Sequence, residues 1–243
     1  MKKLKVSIEH FTPSKTLIEA VRMPFDNEKA DIDTVIKVIA KLKHTSVAEH
    51  LTFNFKIENV SRLLLQELVR HRIASYTVKS TRYTLKTFFN EITEQTIKEI
   101  FIYPNDKQDE ITEQMIKENF IYPKDKQDDV HDYVWNKFIK SIEMFNKYSI
   151  QLIKLYSNLG IKPDNLKYFI PEGLSVKLMM SINFRSLLNF FELRRNNSAH
   201  FEIRNLANEM YSQVSKIPFV NKMLKIIFKN DINDKPKIKK KNN

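Results

Sequence analysis

The chain has 243 residues, no cysteine, two glycines and a formal net charge of +12 at neutral pH. Without thiols it builds no disulfide, no thiolate metal site and no cysteine nucleophile. With only Gly160 and Gly173, it builds no glycine-rich phosphate cradle of the G-x-G-x-x-G or Walker type, so any dinucleotide must be held without a Rossmann fingerprint.

Hydrophobic residues make up 42% and charged residues 29%, the proportions of an ordinary globular chain with enough apolar surface for one large core or two small ones. No run reaches the eighteen or more apolar residues of a membrane helix. MKKLKVSIEHF at the start lacks an apolar h-region, so the expectation is a cytoplasmic protein without a signal peptide. The charge is uneven. Between Lys222 and Asn243, eight lysines stand against Asp231 and Asp234, and residues 226–243 read as a basic, solvated and disordered tail. The rest of the excess is spread over residues 1–225, read as one domain. Such a body suits small anions, and composition alone also leaves open a basic nucleic-acid-binding protein.

Residues 3–9 alternate through Leu4, Val6 and Ile8 and predict a strand. Ser14–Met23 and Asp31–Leu42 have helical spacing, with Ser14 and Asp31 as expected N-caps. Leu51, Phe53, Phe55 and Ile57 alternate with polar residues and predict a half-buried strand. Val60, Leu63, Leu64 and Leu68 then recur at helical spacing and lead into Arg70-His71-Arg72.

Residues 92–129 are a tandem duplication: ITEQTIKEIFIYPNDKQDE is followed by ITEQMIKENFIYPKDKQDD, identical at fifteen of nineteen positions. Two copies are too few for a solenoid, and the segment reads as a surface insertion. Val134, Phe138, Ile142, Phe145, Leu152 and Tyr156 then mark a long amphipathic helix, with Gly160 as its C′ residue. Asp164 is the expected cap of a short helix. Val176, Leu178, Met180 and Ile182 alternate as a strand, and helices follow near 184–195 and 198–215. The class is α+β, mostly helical, with a small antiparallel or mixed sheet.

Arg70 to Tyr83, RHRIASYTVKSTRY, is the segment richest in chemistry. Arginine forks suit phosphate and carbonyl-rich heterocycles, and serine hydroxyls add short, orientable donors. By itself the cluster equally fits a helix C-terminus, where cations favour the macrodipole. No H-E-x-x-H or similar spacing calls for a metal. His10 and His131 match nothing, and His50 beside Glu49 reads as structural. Phe190 and Phe191, at helical spacing with Leu187, read as core. Asn183, Arg185, Asn189 and Arg194 do not fit one narrow helical stripe, so some are expected to face a neighbouring subunit.

The pattern RHRIAS-x4-S-x-RY closely resembles the signature of the flavin-dependent thymidylate synthases, the ThyX family, with Ser80 as the signature serine. HTSVAEHLTFNF from His44, NFRSLLNFFELRR from Asn183 and AHFEIR at 199–204 resemble further family segments in the same order. The likeness spans about residues 1–90 and 130–225.

The resemblance implies a non-Rossmann flavin-binding fold, a homotetramer with active sites between subunits, and reductive methylation of dUMP to dTMP. FAD is the implied cofactor, NADPH the reductant and 5,10-methylenetetrahydrofolate the one-carbon donor. It puts His44 and Ser46 on the flavin and folate side. Arg70, His71, Arg72, Val78, Asn183, Phe184, Arg185 and Asn189 are implied on FAD. Glu67, Arg70, Lys79, Ser80, Thr81, Arg82 and Lys167 are implied on the nucleotide, with Arg194 at the uracil ring and Arg194 and Ser80 as the catalytic pair. Glu67 stands where the family often has glutamine, Val78 where it has glutamate, and Lys167 where it has arginine. Ser198 and His200 replace a histidine and a glutamine. These departures leave open a catalytically silent flavin- or nucleotide-binding homologue.

Overall fold

The computed structural model describes residues 3–26, 28–80, 96, 99–104 and 130–233. Most of the duplicated segment and the lysine-rich end after residue 233 lie outside the described residues.

In chain order the elements are β1 (Lys5–Phe11), α1 (Ser14–Arg22), α2 (Ile32–Ile36), α3 (Thr45–Ala48), β2 (Thr52–Ser61), α4 (Arg62–Leu68) and β3 (Ala74–Val78). There follow α5 (Val130–Asn158), α6 (Pro163–Leu166), β4 (Ser175–Asn183), α7 (Phe184–Arg194), α8 (Phe201–Val214) and α9 (Pro218–Asn233). The strands form one small antiparallel sheet in the order β1-β2-β4-β3. The class is therefore α+β and mostly helical. The last helix runs through Asn233, well into the segment read from sequence as tail.

The described chain forms two compact units, one of Lys5–Ile57, Glu67–Thr77 and the residues from Leu178 on, the other of Glu58–Gln66 and Val78–Lys177 with the N-terminal residues. In the first, alternation along β2 buries Phe53, Phe55 and Ile57 completely. Phe53 packs on Phe11 at 6.2 Å and on Phe184 at 6.1 Å between ring centroids. From α7, Phe184, Leu187, Phe190 and Phe191 are buried. From α8, Leu206, Ala207, Met210 and Val214 join the same core. Arg195 Cζ lies over the Tyr211 ring, 3.7 Å from its centroid, a cation–π contact.

Local signals place the helix starts. Asp31 is the N-cap of α2: its Oδ1 accepts from the Thr34 amide at 2.9 Å, and Thr34 Oγ1 accepts from the Asp31 amide at 3.3 Å. The Thr34 amide, and the Thr34 hydroxyl donating to the same Oδ1 at 2.8 Å, hold the Asp31 carboxyl below its ordinary range. The helix continues as a π turn, Lys37–Lys41, two residues short of His44. Ser14 is not a cap. Pro13 holds that place in an extended conformation, and Ser14 is the first helical residue. Asp164 is likewise inside the first turn of α6, behind Lys162 and Pro163, where it pairs with Lys167 at 2.7 Å. Val60 belongs to β2 and not to the following helix, which begins where Ser61 Oγ accepts from the Leu64 amide at 2.9 Å.

In the second unit, α5 buries Ile150 and Ile153 against Phe101, Leu166, Ile170 and Leu174. The face read from sequence is buried only in part: Val134 is buried and Ile142 packs on this core, while Phe138 and Phe145 are exposed. The helix is apolar on more than one side, and the face that meets Phe101 is the one that is buried. It ends as its glycine predicts: Gly160 has φ +84, and the Ile161 amide donates to the Tyr156 carbonyl at 3.0 Å, the long bond of a Schellman motif. Gly173 is needed for close approach, since a Cβ there would meet the Ile102 carbonyl at 3.0 Å.

Candidate active site

Helix α4 ends at Leu68, and the chain turns through Arg70, His71 and Arg72 before β3. The turn is held by Tyr76, whose hydroxyl lies 2.9 Å from both the Leu68 and the His71 carbonyl and shares its single proton between them. Burial pushes the Tyr76 phenol up to about 12, so it stays a donor throughout the neutral range.

Facing this turn is α7. Its first backbone donors are capped by Asn183, whose Oδ1 accepts from the Ser186 amide at 2.8 Å. Between the turn and α7 lies a cavity of about 970 Å³. The turn lines it with Arg70, His71, Arg72 and Ile73, and the end of α3 adds Glu49. From α7 come Asn183, Arg185, Ser186, Asn189, Leu193 and Arg194. All four α7 residues expected to diverge therefore meet in one cavity of one chain, because it is wide and the side chains are long. Four arginines against a single lining carboxylate make it strongly anion-attracting.

Arg194 is the best-held of these cations. Its Nε donates to His71 Nε2 at 3.1 Å. Its Nη1 stands 3.6 Å from Glu67 Oε2. The His71 ring meets Phe190 edge-on, 4.9 Å between centroids. Burial first, then the charge of Arg194, lowers the His71 pKa, which keeps Nε2 free to accept. Arg185 Nη1 donates to Glu49 Oε1 at 2.6 Å in a more exposed ion pair.

Of the residues expected from sequence, Arg70, His71, Arg72, Asn183, Arg185, Asn189 and Arg194 line this cavity. His44, the N-cap of α3, and Ser46, inside it, are exposed in the same unit and are not among the cavity's lining residues. Phe184 is fully buried against Phe53, so its side chain belongs to the core and only its backbone remains for a cofactor. Glu67 touches Arg194 without lining the cavity. Val78, Lys79, Ser80 and Lys167 belong to the other unit. There the Lys79 amide donates to the Lys177 carbonyl at 3.0 Å. Thr81 and Arg82 lie outside the described residues.

Sequence reasoning assigned no part to Glu49, Ile73, Ser186 or Leu193. The signal for the two on α7 was spacing: Ser186, Asn189 and Leu193 follow at helical intervals. Among the described residues, no group of three His, Asp or Glu side chains is arranged to hold a metal.

A basic cavity between an arginine-rich turn and a capped helix, with no glycine cradle, defines an anion-binding site of non-Rossmann type. The family model of the thymidylate synthase complementing protein matches residues 6–218. The flavin-dependent thymidylate synthase of Campylobacter jejuni strain RM1221 is 32% identical over 221 residues, 86% of this chain and 90% of that one. The Pyrococcus furiosus enzyme of the same name is 30% identical over 199 residues, 80% and 67% of the two chains. Thymidylate Synthase X from Helicobacter pylori, crystallised with FAD and dUMP, matches in structure with a TM-score of 0.65 and 29% identity, over 91% of this chain and 97% of that one. The chain belongs to the thymidylate synthase complementing protein family, the family of the flavin-dependent thymidylate synthase enzymes.

Proposed function

We propose that this chain converts dUMP to dTMP, with FAD as cofactor, NADPH as reductant and 5,10-methylenetetrahydrofolate as carbon donor. The observation that carries the reading is Arg194, a cation lining the cavity and held by His71 at 3.1 Å.

The lining fits a flavin dinucleotide. Arg70, Arg72 and Arg185 offer forks for a diphosphate, and Asn183, Ser186 and Asn189 offer neutral partners for hydroxyl and carbonyl groups. The volume matches the upper end of ordinary ligand pockets, roughly 300–1,000 Å³. Bound FAD supplies the hydride chemistry, and the protein binds, orients and polarises.

Arg194 stabilises negative charge on the pyrimidine as N3 ionises, which raises electron density at C5 without a nucleophile. The absence of cysteine is consistent with that route. Lys79, Ser80, Thr81, Arg82 and Lys167 hold the nucleotide, Glu67 acts on it through Arg194, and Arg194 and Ser80 are the catalytic residues. His44 and Ser46 serve the flavin and folate side, with Val78 and the Phe184 backbone.

The working form is a homotetramer. On α5, Phe138, Phe145, Tyr148 and Leu155 are exposed at the seven- and three-residue intervals of a helix–helix seam. An apolar stripe of this length is the kind of surface that subunits cover. Among the described residues no helix is long and apolar enough to cross a membrane, and the proposed location is the cytoplasm.

The test is the visible spectrum under anaerobic conditions. The expected result is a flavin that bleaches with NADPH and returns only when dUMP and methylenetetrahydrofolate are both added, with dTMP formed. A flavin that reduces and never reoxidises with substrate identifies a silent homologue. A protein that cannot be loaded with FAD sinks the reading.

A further inference from the structure

Arg194 has five N–H donors to place. Nε is committed to His71 at 3.1 Å, while Nη1 stands 3.6 Å from Glu67 Oε2. That second distance is an ion pair and too long for a hydrogen bond, so the carboxylate pulls on the guanidinium without consuming its donors.

The two partners differ in position. Arg194 lines the cavity and Glu67 does not; the carboxylate approaches from the last turn of α4. Their side chains are 24% and 28% exposed, so water screens the pair less than it screens an open surface pair. The other charged or titratable groups around the cavity are His71, Arg70 and Arg72 from the turn, Arg185 from α7 and Glu49 from α3. Glu49 is engaged with Arg185. Glu67 is thus the carboxylate that acts on Arg194.

We propose that Glu67 is a positioning residue that restrains Arg194: its carboxylate competes with the bound pyrimidine for the guanidinium, weakening nucleotide binding and raising the pH at which the pyrimidine loses its N3 proton. This rests on the reading that Arg194 faces the pyrimidine of dUMP. The sign follows from Coulomb's law. A negative charge behind the guanidinium lowers the positive potential in front of it, and an anionic ring feels that loss more than a neutral one. A glutamine of the same shape leaves the full potential for the ligand.

The experiment uses the full chain loaded with FAD, as parent, Glu67→Gln and Glu67→Asp. dUMP is titrated from neutral to alkaline pH, and the ultraviolet difference spectrum of the bound pyrimidine is followed for the N3 anion. Glu67→Gln is expected to bind dUMP about two- to fivefold more tightly, the range of a partly screened ion pair, and to ionise the bound ring at lower pH. Glu67→Asp keeps the charge and withdraws it slightly, and is expected to fall between the two. Binding that is unchanged or weaker in Glu67→Gln, with ionisation where the parent has it, overturns the proposal while leaving the site reading intact. A parent that binds no dUMP overturns both.

Discussion

Arg194 Nε donates to His71 Nε2 at 3.1 Å across a sequence separation of 123 residues. The bond requires Nε2 to be unprotonated, with the imidazole proton on Nδ1. His71 in turn rests its ring against Phe190. A hydrogen bond with one charged partner is worth about 1.5–3 kcal/mol. His71→Ala is therefore expected to lower kcat/KM for dUMP by about ten- to a hundredfold. His71→Gln, which offers another acceptor, is expected to recover part of the loss. Steady-state kinetics on the two variants check this.

The same bond sets a pH dependence. The His71 pKa in the fold lies below its ordinary value of 6.5, so between the two values the unfolded chain binds the proton more readily than the folded one. Stability from neutral His71 is complete above 6.5 and declines as pH falls below it towards the folded pKa. Placement of Arg194 fails only when the folded imidazole itself protonates, lower still. On acidification, thermal stability is expected to slip before KM for dUMP rises, and both trends are expected to flatten in His71→Gln. Melting curves and KM values across the acid range measure both.

Tyr76 secures the turn that carries His71. Its hydroxyl serves the Leu68 and His71 carbonyls at 2.9 Å each. Tyr76→Phe keeps the ring and leaves those acceptors without it, at a cost of about 1–3 kcal/mol. The expected outcome is a lower denaturant midpoint together with weaker FAD retention, because Arg70 and Arg72 share the same turn.

Phe190 joins the core to the site. It is fully buried and supports the His71 ring at 4.9 Å. Phe190→Ala is expected to cost about 3–5 kcal/mol in stability. Phe190→Leu is expected to retain most of the stability and to lose turnover through His71 and Arg194. Denaturant unfolding set beside kcat separates the two effects.

On α5, Phe145 and Leu155 are exposed within the apolar stripe. If subunits cover that face, Phe145→Asp with Leu155→Asp shifts the sedimentation profile towards smaller species without melting α5. Unchanged sedimentation removes this helix from the assembly interface.

Much of the fold was legible because its signals are local. Alternation through Phe53, Phe55 and Ile57 marks β2 and its buried face. The Asp31 capping box starts α2, and the positive φ of Gly160 follows the end of α5. The motifs around Arg70 and Asn183 named seven of the eleven residues that line the cavity. Other features depended on contacts that no short window contains. Periodicity mixed two apolar faces of α5, taking buried Val134 and half-buried Ile142 together with exposed Phe138 and Phe145, and Phe101 and Leu174 decide between them. Phe184 sits inside a family motif, yet its side chain is claimed by Phe53.

By itself, the sequence determined the absence of a thiol nucleophile and of a glycine cradle, the α+β class and the arginine supply of the site. Only the tertiary structure decided which groups act on Arg194. Glu67 and His71 come from the end of α4 and the turn after it, and Arg194 comes from the end of α7. Periodicity reports on neighbours along the chain. The field at a guanidinium depends on distance in space, and the fold alone brings a carboxylate to 3.6 Å and an imidazole to 3.1 Å of that cation.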